Sequence, residues 1–148
     1  MRKIVILGAG FGGLTSASEL NPSVSEDKLS VALIDSNSHF SMGFNMQWVL
    51  AGRRSAEEGQ RPYSNIKARN VRFIHDEIIK IDTEGKRIHT KSHRIEYDQL
   101  IIALGAELAP ELVPGLSNAG YNLCNLASIL QMKTAIQGMR EGTLLIMI

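Results

Sequence analysis

The first 35 residues alternate between short aliphatic runs and one stretch of helical period. Ile4–Leu7 and Leu29–Ile34 are aliphatic runs typical of strands buried on both faces of a parallel sheet. Between them, apolar residues recur at helical spacing through Leu14–Leu20, and Pro22 ends the helix. Strand, glycine-rich turn, helix and strand in this order predict a βαβ unit.

The middle of the chain changes from a loop-like pattern to closely spaced strands. Residues Ser36–Gly52 have no clean period and predict a loop that leads into a short helix. Pro62 predicts the first turn of another helix, running to about residue 69. Four short runs between Val71 and Asp98, separated by turn residues, predict an antiparallel β-meander over about residues 71–98.

The last third predicts a strand, a helix and a second strand. Gln99–Ala106 is an apolar run that reaches a glycine, and Thr143–Ile148 is another. Asn125 predicts the N-cap of a helix that Gly142 ends, with an apolar stripe of Ile129, Met132, Ile136 and Met139. The predicted fold class is α/β: a Rossmann-like parallel βαβ core in three layers, with an inserted antiparallel β-meander.

Composition and charge narrow the classes of partner. The 148 residues carry 16 basic and 15 acidic side chains, a net charge of +1, so charge gives no reason to expect nucleic acid or an anionic membrane. No apolar run approaches the roughly 20 residues of a membrane span, and no signal peptide is recognisable, so we expect a cytoplasmic location. Cys124 is the single cysteine, which excludes an internal disulfide, and no spacing of His, Cys or acidic residues predicts a metal site.

The glycines after the first strand carry the clearest chemistry. Gly8, Gly10 and Gly13 form a G-x-G-x-x-G arrangement between a predicted strand and a predicted helix. Gly8 allows the sharp turn, Gly10 allows close approach of a pyrophosphate, and Gly13 allows tight packing of helix on strand. The helix N-terminus offers free N–H donors and the positive end of its dipole. The sequence therefore predicts a dinucleotide site, the alternative being a turn that only packs.

The acid after the second strand restricts which dinucleotide fits. Asp35 lies 22 residues beyond Gly13, where its carboxylate can accept hydrogen bonds from ribose hydroxyls. A carboxylate there repels the 2′-phosphate of NADP. FAD and NAD both present an unphosphorylated ADP, so the turn and the acid leave both open.

Three motifs together resemble a known family. "GAGFGG" (Gly8–Gly13), "YDQLIIALGA" (Tyr97–Ala106) and "VPGL" (Val113–Leu116) are similar to the FAD half of the pyridine nucleotide-disulfide oxidoreductases, flavoproteins with two dinucleotide domains. Within that superfamily the sequence most resembles sulfide:quinone oxidoreductases, flavocytochrome c sulfide dehydrogenase flavoproteins and type II NADH dehydrogenases. The resemblance implies FAD as the cofactor. It also implies that residues 1–142 belong to the FAD domain and that residues 143–148 begin a second nucleotide domain.

The resemblance also implies roles for particular residues. The pyrophosphate turn would be Gly8, Gly10, Phe11, Gly12 and Gly13, with Asp35 and Ser36 beside the adenosine ribose, the backbone of Ile78 on the adenine, and Ala103, Leu104 and Gly105 beside the cofactor. Gly43 and Phe44 would lie closest to the flavin, with packing against the sheet as the alternative. Cys124 matches a cysteine that handles sulfide in the sulfide-oxidising relatives. Its alternative is a small buried residue, because this chain has no second cysteine.

Taken together, the sequence predicts the FAD-binding part of an oxidoreductase that passes electrons from sulfide or NADH to a quinone or cytochrome. The alternatives are an NAD-dependent dehydrogenase and a redox-inert nucleotide-binding module. The relatives complete their flavin pocket with a Gly-Asp segment that this sequence lacks, so we expect a fragment that alone binds FAD weakly and is inactive. We also expect membrane contact only through a part outside this sequence, and possible dimerisation through Thr143–Ile148.

Overall fold

The computed structural model describes residues 1–24, 28–66, 68 and 70–146. The chain divides into two compact units: unit 1 comprises residues 1–40 and 61–107, and unit 2 comprises residues 41–60 and 108–148. The strands and helices, in chain order, are β1 (Arg2–Leu7), α1 (Phe11–Leu20), β2 (Leu29–Asp35), β3 (His39–Ser41), α2 (Asn45–Leu50), β4 (Gln60–Pro62), β5 (Arg72–His75), β6 (Ile78–Asp82), β7 (Arg87–Thr90), β8 (Arg94–Glu96), β9 (Gln99–Ile102), α3 (Leu116–Ala119) and α4 (Leu126–Gly138).

A four-stranded parallel sheet forms the centre of unit 1. Its strand order is β5-β2-β1-β9, and every pairing in it is parallel. The chain leaves β1 through α1 to β2 on one side and later returns to β9 on the other side of β1. The carboxyl end of β1 is therefore a topological switch point, where open α/β sheets bind their ligands. The predicted α/β class is confirmed.

A three-stranded antiparallel sheet is inserted between β5 and β9. Its order is β6-β7-β8. The predicted meander over residues 71–98 is thus confirmed for three of its four runs. Its first run is wrong, because Arg72–His75 is β5 and pairs in parallel with β2, with Asp35 opposite His75. The alternation of side chains within the run is the same for either pairing, so only the tertiary structure assigns the strand to a sheet.

Two apolar clusters cover the two faces of the parallel sheet. Ile4 and Ile6 of β1 point to the cluster that contains Ala17 of α1. Val5 and Leu7 point to the opposite cluster, which contains Ile88 of the meander. Successive residues of a strand face opposite sides, so β1 contributes to both clusters. Helix, parallel sheet and meander therefore form three layers.

Unit 2 has a small core between α2 and α4. Val49, Ile129 and Met132 are its buried apolar residues. The predicted N-cap is confirmed, because the Asn125 side chain accepts a hydrogen bond from the amide of Ser128 at 3.0 Å. Two details of the predicted helix are wrong: it ends at Gly138 instead of Gly142, and its stripe residues Ile136 and Met139 are exposed.

Two predicted elements differ in the structure. The helix predicted from Pro62 is only a 3₁₀ turn, Tyr63–Asn65, because Ile66 already has extended backbone with ψ at 131°. Residues 67 and 69 of that prediction lie outside the described residues. Residues 143–146 form no strand, since a strand requires a hydrogen-bonded neighbour and these described residues have none in a sheet. Met147 and Ile148 lie outside the described residues.

Candidate functional site

The glycine turn occupies the carboxyl end of β1 and is built by two close backbone contacts. Gly8 has φ of +89° and its amide donates to the Ile34 carbonyl oxygen at 2.8 Å. A Cβ atom on Gly8 would overlap the carbonyl oxygen of Ala103, and one on Gly13 would overlap the carbonyl oxygen of Gly8. Both positions require glycine because backbone lies where a side chain would begin. The tight packing of helix on strand predicted for Gly13 is seen as contact of α1 with Gly8, the residue directly after β1, and with the Leu33 side chain of β2.

Gly10 differs from these two glycines. Its φ of −75° and ψ of −164° suit any residue, and nothing lies within 4 Å of the place a Cβ atom would occupy. The protein itself therefore gives no reason for glycine at this position. Open space beside a bare backbone is what close approach of a pyrophosphate requires.

The first turn of α1 presents unbonded amides beside that space. Gly10 is the N-cap and makes no side-chain capping bond, and the first helical bond runs from the Leu14 amide to the Gly10 carbonyl at 2.9 Å. The amides of Phe11, Gly12 and Gly13 therefore have no partner within the helix. With the dipole of a ten-residue helix behind them, they suit an anion. The Phe11 ring is exposed and contacts Phe40 edge-on, with centroids 5.1 Å apart.

Asp35 lies against the glycine turn. Its Oδ2 accepts from the amide of Ala9 at 2.6 Å, and its Oδ1 accepts from the amide and the side-chain nitrogen of Asn37 at 2.8 and 2.9 Å. Each carboxylate oxygen has about two acceptor positions, so Oδ2 keeps one for a further donor such as a ribose hydroxyl. The contact from Asp35 to the turn was not foreseen from the sequence.

Tyr63 is a second contact of the turn that sequence reasoning missed. Its hydroxyl donates to the carbonyl oxygen of Ala9 at 2.8 Å, across 54 residues of chain. The side chain is buried and its ring lies 4.7 Å from that of Phe73. Burial, and then the negative charge of Asp35, raise the pKa of Tyr63 to about 12. No local signal marks Tyr63, because its partner is distant along the chain.

The remaining candidates of unit 1 lie at strand ends. The Ala103 amide donates to the Leu7 carbonyl at 2.8 Å, so the segment after β9 runs close beside Gly8. Gly105 has φ of +78°. Leu104 is exposed. Ser36 follows β2, and its carbonyl oxygen lies 3.0 Å from His75 Nε2. The structure thus brings the turn, Asp35, Ser36 and Ala103–Gly105 together at one edge of the sheet.

Ile78 opens the edge strand of the meander. It stands opposite Thr90, and the Lys91 amide donates to the Glu77 carbonyl at 3.0 Å beside it. In an antiparallel ladder that bond makes Ile78 and Thr90 a non-hydrogen-bonded pair. The N–H and C=O of Ile78 therefore point away from β7, toward the outer edge of the sheet. This direction suits the predicted backbone bond to an adenine.

A buried carboxylate anchors the start of the meander. Asp76 Oδ2 accepts from the Thr90 hydroxyl at 2.6 Å and the Ser92 amide at 3.1 Å, and His93 Nδ1 lies 2.9 Å from the same oxygen. These bonds, that of Thr90 first, hold the pKa of Asp76 well below its usual range. The Asp76 amide donates to the Asp35 carbonyl at 3.0 Å, which ties the meander to β2. His93 is half-exposed, and Asp76 is its structural partner.

The other three candidates lie in unit 2. Gly43 is exposed, and Phe44 is 78% exposed at the N-cap of α2, so the alternative of a packing role for Phe44 is not supported. Cys124 is exposed, and its amide donates to Asn122 Oδ1 at 2.7 Å. The alternative of Cys124 as a small buried residue is therefore wrong.

The described residues contain neither a metal-binding cluster nor a membrane-spanning helix. Within residues 1–24, 28–66, 68 and 70–146, no cluster of three His, Cys, Asp or Glu side chains could hold a metal ion. In that same part of the chain, no helix has the length and apolar character needed to cross a bilayer.

Comparison with known proteins agrees with the resemblance found in the sequence. The type II NADH:quinone oxidoreductase of Staphylococcus haemolyticus is 28% identical over 137 residues, which are 92% of this chain and 34% of that protein. The sulfide:quinone oxidoreductase of Aquifex aeolicus superposes with a TM-score of 0.81 at 25% identity, over 93% of this chain and 32% of the other. The NDH2 of Plasmodium falciparum, solved with NADH, shares the fold at a TM-score of 0.71 and 24% identity, over 89% of this chain and 28% of its own.

These proteins are about three times as long as the part that matches. The chain thus spans about a third of the curated relatives, over the segment that contains the glycine turn. A match to the family described as pyridine nucleotide-disulphide oxidoreductase covers residues 2–141, nearly all of the sequence. This match includes every element that builds the turn, and the chain belongs to the pyridine nucleotide-disulphide oxidoreductase family.

Proposed function

We propose that this chain is the FAD-binding part of a flavin-dependent oxidoreductase and that the glycine turn binds the ADP half of FAD. The observation that carries the proposal is Gly10, where open space lies beside uncapped amides of α1 and a carboxylate with a free acceptor position. The amides of residues 10–13 would hold the pyrophosphate and Asp35 the ribose. When bound, FAD supplies the two-electron redox chemistry, which no side chain provides.

The other candidate residues are assigned to the remaining parts of the cofactor. Ile78 would bond the adenine through its outward-facing backbone, and Ala103–Gly105 would pass beside the cofactor. Gly43 and Phe44 would contact the flavin, which accords with their exposure. Residues 143–148 would begin a second nucleotide domain, so the 148-residue chain alone should bind FAD weakly and turn nothing over.

Titration of the full-length apoprotein tests the cofactor. FAD and ADP should bind, whereas FMN, which lacks the adenosine and one of the two phosphates, should bind at least about tenfold more weakly. NADP should also bind weakly, because its 2′-phosphate would meet the Asp35 carboxylate. Binding of NAD but not of FAD would support the alternative of an NAD-dependent dehydrogenase and overturn the proposal. Equal affinities for FMN and FAD would show that the glycine turn does not contribute to cofactor binding.

The electron donor and acceptor are the finer part of the proposal. The acceptor would be a quinone or a cytochrome, and the donor sulfide or NADH. Two relatives support a quinone as acceptor: one is an NADH:quinone oxidoreductase and the other a sulfide:quinone oxidoreductase. Mixing the oxidised, FAD-loaded full-length protein with each donor, and then with a quinone analogue or cytochrome c, should bleach and restore the flavin absorbance. A protein that binds FAD yet bleaches with neither donor would be a redox-inert module.

Cys124 would have a catalytic role only if the electron donor is sulfide. Cys124 is exposed and could form a disulfide with a second thiol from outside this sequence. Sulfide could then attack that disulfide: the S–S bond breaks, the attacked sulfur becomes a persulfide, and the other sulfur leaves as a thiolate. Cys124→Ser should abolish bleaching by sulfide and leave bleaching by NADH unchanged. If both rates remain those of the wild type, Cys124 has no catalytic role.

A further inference from the structure

We propose that Tyr63 is a positioning residue of the dinucleotide site: its hydroxyl holds the Ala9 peptide so that the Gly10 amide points toward the pyrophosphate. The inference rests on the proposed function, since it concerns the same turn. It assigns a role to a residue that no motif in the sequence marks.

Backbone hydrogen bonds hold Gly8 and Gly10, but side chains hold the N–H and C=O of Ala9 between them. Ala9 lies between Gly8 and Gly10, two residues with the widest conformational freedom of any amino acid. Ala9 is fully buried, and its two peptide groups bond to side chains instead of to a strand or a helix. Its N–H donates to Asp35, and its C=O accepts from Tyr63. These two bonds restrain the Ala9 peptides from both ends.

The planarity of the peptide bond links Tyr63 to the ligand side of the turn. The C=O of Ala9 and the N–H of Gly10 belong to one trans peptide and point in opposite directions. Since the C=O points to the Tyr63 hydroxyl, the Gly10 N–H points the other way. A rotation of this peptide would remove a donor from the anion site and leave the buried Ala9 carbonyl without a partner.

Tyr63 is itself held firmly in place. The ring is buried in the core cluster that contains Leu33, and it packs on Phe73 with centroids 4.7 Å apart. Its amide donates to the Ser38 carbonyl at 3.1 Å. The hydroxyl is protonated, and hence a donor, at neutral pH, and burial extends this state to higher pH by raising the pKa. A cavity of about 280 Å³, lined in part by Tyr63, Phe73 and Leu33, adjoins the ring. A smaller side chain would enlarge this cavity, whereas Phe removes only the hydroxyl and keeps the ring packing.

The test compares two tyrosines of the full-length apoprotein. Tyr63→Phe should raise the dissociation constants of FAD and ADP by about fivefold to tenfold, the effect of one buried hydrogen bond. The matched control is Tyr97→Phe. Tyr97 is also buried, and its hydroxyl donates to the Asp82 carbonyl at 3.4 Å in the meander. The control should bind both ligands as the wild type does.

Two further measurements, adenosine binding and rescue by an amino group, separate positioning from a merely structural role. The affinities are measured well below the unfolding temperature of each variant, so that every sample is folded. Adenosine, which has no phosphate, should bind Tyr63→Phe and wild type equally. Replacing Tyr63 with p-aminophenylalanine, which restores a donor on the ring, should recover most of the affinity for ADP.

The outcomes also separate this inference from the proposed function. If the wild type binds FAD and ADP while Tyr63→Phe binds them equally well, the positioning role is wrong and the cofactor assignment stands. Equal weakening of adenosine and ADP would likewise overturn it, since the whole site would then be disturbed. If the wild type binds neither FAD nor ADP, the proposed function itself fails.

Discussion

The two units bury their apolar side chains to very different extents. In unit 1, Ile6, Leu7 and Leu33 are fully buried within two clusters that cover both faces of a parallel sheet. In unit 2, the described apolar core consists of Val49, Ile129 and Met132. Large exposed apolar residues in unit 2 include Leu112, Tyr121, Leu130, Leu144, Leu145 and Ile146. Unit 1 thus has the core of an independent domain, whereas unit 2 resembles a helix pair with marginal stability.

The candidate site residues are divided between the two units. The glycine turn and Asp35 lie within unit 1 at the ends of paired strands, and Tyr63 lies in a 3₁₀ turn of the same unit. Gly43, Phe44 and Cys124 lie on loops and a helix end of unit 2. A site built on a rigid sheet keeps its geometry, while one on exposed loops depends on what else holds them. We therefore expect ADP binding to survive changes that unfold unit 2.

The largest expected effect is that of Gly13→Ala, which should lower the free energy of unfolding of unit 1. The new Cβ atom would overlap the Gly8 carbonyl oxygen, so helix and turn must separate, at a cost of about 4 kcal/mol in free energy of unfolding. Urea denaturation measures this loss. Gly10→Ala is the matched control, because open space surrounds that position. It should keep the stability within about 1 kcal/mol yet weaken ADP binding. A stable Gly13→Ala protein would contradict the packing described here.

Ile129→Ala tests whether unit 2 depends on its small core. Loss of this buried side chain should cost unit 2 about 3 kcal/mol, enough to expose α2 and α4 to exchange. Hydrogen exchange followed by mass spectrometry should show faster exchange in residues 45–50 and 126–138, with β1 and β2 still protected. Leu130→Ala, at an exposed position on the same helix, serves as the control. Equal loss of protection in β1 would show that the two units unfold together.

Alkaline pH should destabilise unit 1 through Tyr63. Its pKa of about 12 in the folded state lies above the value of about 10 for a solvated tyrosine, so folding favours the protonated form. The resulting stability is fully present below pH 10 and is lost as the pH rises toward 12, by about 2 kcal/mol. Urea midpoints measured between pH 8 and 11 should fall more steeply for wild type than for Tyr63→Phe. Parallel curves would contradict the buried protonated hydroxyl.

The smallest expected effect concerns the N-cap of α4. Asn125→Ala removes the bond to the Ser128 amide and should cost about 1 kcal/mol, confined to unit 2. Exchange of the first-turn amides of α4 reports this loss. Asn118→Ala, on the short helix α3, is a control that leaves this cap intact. Unchanged exchange at Ser128 would show that water replaces the cap without loss.

Local features of the sequence were predictable because their causes lie within a few residues. The turn at Gly8 needs a positive φ, and the Asn125 cap bonds an amide three positions along the chain. The strands β1 and β2 are recognisable because burial on both faces demands a continuous aliphatic run. In contrast, Arg72–His75 joins the parallel sheet although its pattern equally suits the meander. The pairing depends on loop closure and on competition between sheets, which no local pattern records.

The features of the candidate site likewise fall into those set by local sequence and those set by distant contacts. The sequence by itself determined the glycine turn, the acid at the end of β2 and the family, because spacing and residue type express these directly. Only the tertiary structure decided that Asp35 and Tyr63 both bond the Ala9 peptide, that Asp76 anchors the meander, and that Cys124 is exposed. Each depends on side chains or strands brought together from distant parts of the chain. Such contacts follow from packing in three dimensions, whereas residue propensities act over a few positions.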